Sequence, residues 1–105
     1  MVMSEIYLSN PTDRDFANLE GKAVSVIRTN GSNSEVTNAS LESISKINGL
    51  RELDLEWATG ITDAGLPWLH SLHGLEYIDL SFCNGITEAG ISGLRAALPK
   101  CNVDR

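Results

Sequence analysis

The sequence predicts an α/β solenoid, a right-handed β-α superhelix with a parallel sheet on its concave side and helices on its convex side. Three observations carry that prediction. A threonine recurs every 25 residues, at Thr12, Thr37, Thr62 and Thr87. The fourth residue after each is apolar (Phe16, Leu41, Leu66, Ile91), as is the seventh (Leu19, Ile44, Leu69, Leu94). The tenth is Lys22, Ile47, Leu72 or Ala97, so only Lys22 breaks the series. Finally, "LRELDLE" and "LEYIDLS" alternate apolar and polar residues 25 apart, the pattern of strands buried on one face. A period between about 20 and 50 residues marks stacked units that cannot bury their apolar faces alone.

Four units follow in order within one domain: 1–22 as an atypical N-terminal cap, 23–49, 50–74 and 75–105. The first carries the short strand "EIYLS", with Ile6 and Leu8 inward and Glu5, Tyr7 and Ser9 outward. Terminal units of such stacks are usually atypical. In the second, "AVSVI" puts Val24 and Val26 inward and Ala23, Ser25 and Ile27 outward. Val26 to Val36 is 10 residues, against 6 from Leu55 to Ile61 and from Leu80 to Ile86. "TNGSNSE" is therefore expected to be a turn-rich loop with about four extra residues. The third and fourth units turn Leu53, Leu55, Ile78 and Leu80 inward.

Each threonine is expected to cap a helix, its hydroxyl accepting an orphan amide N–H of the first turn. The next residue is Asp13, Asn38, Asp63 or Glu88, and acids there suit the positive end of the helix dipole. Pro67 is tolerated in a first turn. Gly49 and Gly74 are expected to close the second and third helices as left-handed caps. The expected core is Leu41, Ile44, Ile47, Leu50, Leu53, Leu55, Ile61, Leu66, Leu69, Leu72, Leu75, Ile78, Leu80, Ile86, Ile91 and Leu94.

At 105 residues the chain has room for one core. A formal net charge of −6 argues against nucleic acid or anionic lipid as partners. No apolar run approaches the ~18 residues of a membrane span, and no signal-peptide pattern opens the chain, so cytoplasmic residence is expected. Cys83 and Cys101 are then expected to be free thiols.

"LRELDLEWATGITDAGLPWLHSL" and "LEYIDLSFCNGITEAGISGLRAALPKC" resemble leucine-rich repeats of the cysteine-containing and ribonuclease-inhibitor-like classes. The pattern of those classes is Leu-x-x-Leu-x-Leu-x-x-Cys/Asn followed by Ile-Thr-Asp-x-Gly-Leu. Leu50, Leu53, Leu55 and Ala58 take its first four places in one unit; Leu75, Ile78, Leu80 and Cys83 take them in the next. The closing "ALPKCNV" resembles the last turn of such arrays. The resemblance implies a buried Cys83 and a protein-binding role.

Catalytic chemistry is thin, and neither an enzyme activity nor a cofactor is expected. Gly60, Gly65, Gly85 and Gly90 follow the repeat and fit turns and helix packing better than a phosphate loop. His70 and His73 share a helical spacing, but a zinc site needs three or four ligands and only the two cysteines remain as soft candidates. A Cys83–His nucleophile pair is disfavoured because the histidines fall on the helix side and Cys83 inside the stack.

The strand face offers more. Glu52, Asp54, Glu56, Tyr77, Asp79 and Ser81 alternate outward, and Trp57 and Phe82 follow at one place in successive units. Equivalent residues of neighbouring strands lie ~4.8 Å apart, so Asp54 should stand beside Asp79, Glu52 beside Tyr77 and Glu56 beside Ser81. Acids of this kind are often merely solvated. Paired with exposed aromatics they suggest a docking face for a protein with a basic patch. The competing expectation is a subunit that assembles through the open edge of its terminal strand, near Val103.

Overall fold

The structure is a computed structural model that describes residues 4–105. Residues 1–3 of the expected first unit lie outside that range. Five parallel strands form one open sheet in sequential order: β1 (Glu5–Ser9), β2 (Val26–Asn30), β3 (Glu52–Asp54), β4 (Tyr77–Asp79) and β5 (Asn102–Asp104). Between them run α1 (Asp13–Ala17), α2 (Asn38–Ile44), a 3-10 helix (Asp63–Ser71) and α3 (Glu88–Ala97). The closest main-chain approaches join each strand to the next strand and each helix to the next helix.

Ile6, Ile27, Leu53, Ile78 and Val103 share one register row. The last four are buried in a single cluster with Leu41, Leu66 and Ile91 from the helices, and Ile6 packs against it. All sixteen residues of the expected core are buried. One sheet face is thus closed by helices, and the other carries the polar rows.

Three local expectations are corrected. Ile27 is inward and fully buried rather than outward, because it pairs with Ile6 and Leu53. Val24, Val26 and Ile27 are all apolar, so alternation offered two phases and only pairing across the sheet selects one. Measured from that row, Ile27 to Val36 is 9 residues against 8 from Leu53 to Ile61, so the loop holds one extra residue rather than four. Val26 lies in the outward row between Glu5 and Glu52, whose carboxylates Arg28 joins at 3.0 and 3.4 Å; it is nonetheless buried.

The helix ends differ as well. Gly74 does not adopt positive φ, and the 3-10 helix closes at Leu72. Gly49 does, at φ 78°, but in the turn before β3, after α2 has already ended at Ser45. The third helix is 3-10 along its whole length and holds Pro67 inside it. Thr12, Thr37, Thr62 and Thr87 do occupy the four N-cap positions. The Thr37 and Thr87 hydroxyls accept from Ala39 N–H (3.2 Å) and Gly90 N–H (3.3 Å). That of Thr62 does not cap its helix; it accepts from Asn38 Nδ2 at 2.8 Å.

That bond belongs to a clamp between successive units. The residue after each of the first three threonines reaches the threonine of the unit that follows. Asp13 accepts from the Thr37 N–H (2.9 Å) and hydroxyl (2.7 Å). Asn38 accepts from the Thr62 N–H (3.0 Å), and Asp63 accepts from the Thr87 N–H (2.8 Å) and hydroxyl. The acids expected to serve a helix dipole thus also join neighbouring turns of chain.

Candidate functional site

The polar rows of the open face follow from the register. Asp54, Asp79 and Asp104 are neighbours in one row, and Glu52, Tyr77 and Asn102 in the next. Asp54 therefore faces Asp79, and Glu52 faces Tyr77, as the spacing implied. Asp104, 25 residues after Asp79, extends the acidic row and was legible from the period alone.

Past each strand the chain turns in the same way twice. Asp54 Oδ1 accepts the Glu56 N–H (3.1 Å), and Asp79 Oδ1 accepts the Ser81 N–H (2.9 Å). The next residues, Trp57 (φ 65°) and Phe82 (φ 61°), are left-handed, a region bulky side chains rarely enter. Their rings stack with centroids 4.2 Å apart and planes 12° apart, and both remain about half exposed (50% and 54%). Two apolar rings held in a costly backbone conformation at the surface are a feature the core does not require.

The charges divide into two groups. Glu52 shares Arg28 with Glu5, so part of the face is neutralised from within the chain. Arg51 pairs with Glu76 (2.8 Å), and Arg105 with Glu88. Among the described residues no Lys or Arg pairs with Asp54, Glu56, Asp79 or Asp104. The carboxylates of Asp54, Glu56 and Asp79 approach within 4.8 Å of one another. Like charges at that separation repel by about 1 kcal/mol per pair even at the dielectric constant of water. The Tyr77 hydroxyl donates to Asp104 Oδ2 (3.0 Å); burial, that bond and the nearby carboxylates push its pKa up to about 12.

Besides Asp104, sequence reasoning missed three features here. Arg28 was lost with the phase of β2. Glu5 was placed outward, but its ion pair was not foreseen. Asn33 stands 25 residues before Ala58 and 50 before Cys83, so the period was the available signal. It is buried, and its Nδ2 donates to the Glu56 carbonyl (2.6 Å) and to Thr29 Oγ1 (2.9 Å). Cys83, two units on, is also buried and donates to the Leu55 carbonyl (3.2 Å). Burial pushes its thiol up to about 11, away from the thiolate a nucleophile needs. Cys83 and Cys101 are both unpaired. His70 lies in the 3-10 helix and His73 just beyond it, apart from the strand-end carboxylates.

Asp54, Glu56, Trp57, Tyr77, Asp79 and Phe82 are thus gathered on one face, with the Ser81 main chain bracing Asp79. Glu52 stands on it already paired. Among the described residues, no helix is long and apolar enough to cross a membrane.

The fold and this face define an α/β protein of sequentially stacked parallel strands with an acidic, aromatic-edged open surface. No protein-family model matches the chain, and a search of curated proteins finds no similar sequence.

Proposed function

We propose that the chain is a short leucine-rich-repeat solenoid, resident in the cytoplasm, that works as a non-enzymatic protein-interaction module of adaptor or inhibitor type. Its partner docks a basic patch on the open strand face. One observation supports this reading above the rest: among the described residues no Lys or Arg pairs with the clustered Asp54, Glu56 and Asp79, and the exposed, stacked Trp57 and Phe82 follow them closely along the chain. Arg or Lys between the carboxylates forms charge-assisted hydrogen bonds, and the rings give apolar anchorage. The test is capture of the native partner by Asp54→Asn with Asp79→Asn, and separately by Trp57→Ala. Each should weaken capture, and added salt should weaken the wild-type interaction. Folded variants that capture as well as wild type would move the site elsewhere.

A second reading rests on the sheet edges. β5 has β4 on one side only, and an unpaired strand is a template for another chain. Assembly through that edge predicts a mass that rises with concentration in light scattering. A concentration-independent monomer removes it.

A further inference from the structure

One cleft on this face has a lining specific enough to name what enters it. It has a volume of about 220 Å³ and is lined by Thr29, Gly31, Asn33, Asp54, Glu56 and Trp57, among others. Asn33 is 3% exposed. Its Nδ2 bonds to Glu56 O and Thr29 Oγ1 fix the amide, since the reversed orientation would set oxygen against carbonyl oxygen. Its Oδ1 is then left buried with no partner. Buried acceptors are nearly always satisfied, so an orphan on a residue that lines a cleft marks a place for a donor. The Thr29 hydroxyl is already engaged, accepting from Asn33 and donating to the Asp54 carbonyl (3.3 Å).

Two further features have the same sense. Asp54 and Glu56 line the cleft, their carboxylates lie within 4.8 Å of each other and of that of Asp79, and none is joined to Lys or Arg among the described residues. Trp57 both stacks on Phe82 and borders the cleft. The groups left unengaged are acceptors and an electron-rich ring. A cation that only donates, and that is flat enough to lie against an indole, fits this set.

We propose that this cleft receives one arginine side chain of a partner protein. Its guanidinium donates to the Asp54 and Glu56 carboxylates and to Asn33 Oδ1, and lies against Trp57. Arginine is favoured over lysine because its planar fork offers five donors and stacks on aromatic rings. A divalent metal would use the oxygens but leave the indole without a role. The proposal rests on the docking reading of this face and deepens it.

The test titrates the full chain with a capped glycine pentapeptide carrying one central arginine. It follows the Trp57 indole N–H and the Asn33 side-chain amide by NMR. Both signals should shift and saturate. The lysine peptide should bind at least about fivefold more weakly, and Glu56→Gln should weaken the arginine peptide by about fivefold. No saturable shift, equal binding of the lysine peptide, or a response to calcium chloride alone would each overturn the arginine cleft. Partner capture separates this idea from the broader one. If Glu56→Gln captures normally while Asp54→Asn with Asp79→Asn does not, the docking face stands and the arginine cleft falls. If neither variant loses the partner, the docking face falls, and the peptide titration judges the cleft independently.

Discussion

Asp63 has one carboxylate and two bonds to make with it, both to Thr87 of the next unit. The Thr87 hydroxyl first, then its N–H, holds the Asp63 pKa below the usual carboxylate range. At Asp13 burial works the other way, but bonds from Ser40 and Thr37 outweigh it and the net shift is again downward. A depressed carboxylate stabilises the fold above its unfolded pKa of ~3.9 and loses that contribution as pH falls through the lower folded value. Asn38 performs the same task uncharged, so Asp63→Asn should fold. Denaturant midpoints of wild type and Asp63→Asn should converge as pH drops from about 6 to about 3; parallel curves would dissociate Asp63 from acid sensitivity. Cys83 acts at the opposite end of the scale. Its raised pKa favours the thiol in the fold, so stability should fall as pH rises from ~8.5, the unfolded value, toward the folded value of about 11. The loss is on the order of 3 kcal/mol. Ala58 fills the equivalent place one unit earlier, so Cys83→Ala should fold and should lose that part of the alkaline slope. Stability curves of equal slope would show that Tyr77 and Cys101, whose pKa values burial also raises, carry it. At this scale the pairing of Asp54 with Asp79 was legible, because strand period fixes neighbours. The Thr62 hydroxyl was not, since a cap and a clamp put threonine at the same position and only the facing residue decides between them.

Glycines of the helical elements show how closely neighbouring turns meet. A Cβ on Gly65 would overlap Asn38 Oδ1, and one on Gly90 would overlap Asp63 Oδ1. In an exposed helix, glycine to alanine normally stabilises by about 1 kcal/mol. Here the sign should reverse, because the added methyl displaces the side chain that binds the next threonine. Thermal melts of Gly90→Ala should show a lower midpoint than wild type; a higher one would mean that the clamp yields without loss. Gly60 is tighter in kind, since its Cβ would fall 2.6 Å from the Val36 carbonyl oxygen, which is main chain. Gly60→Ala should therefore cost ~1–3 kcal/mol as overpacking. Leu69, fully buried on the 3-10 helix, should lose ~2–5 kcal/mol on truncation to alanine. Chemical denaturation giving less than the scatter of surface substitutions would mean that this helix packs loosely. The helical faces were legible because four copies repeat one stripe. The phase of β2 was not: three apolar residues in four positions carry no alternation to read.

Among the described residues, close main-chain approaches between elements run from each strand to the next and from each helix to the next. Strands β1 and β5 each have one partner strand and β3 has two. Opening an end therefore breaks one interface, and opening the middle breaks two. Native-state hydrogen exchange should protect the amides of β3 more than those of β1 or β5. Uniform protection would indicate that the five strands open as one cooperative unit. The order of the strands was legible from the 25-residue period. The balance of charge on the open face was not, because Arg28 joins two acids that lie 23 and 24 residues from it in sequence.

The clamp between units also makes the chain extensible. Its two members lie 24 residues apart, and a 25-residue step carries one clamp to the next. A second copy of residues 63–87 spliced in after Thr87 would open with an aspartate 24 residues ahead of its own closing threonine. It would also set a glycine where Gly90 now clears Asp63. The inserted segment would add one strand, lengthening the sheet by ~4.8 Å without altering any existing interface except the one it enters. The same seam that holds this molecule together is thus a place where a longer one can be cut and joined.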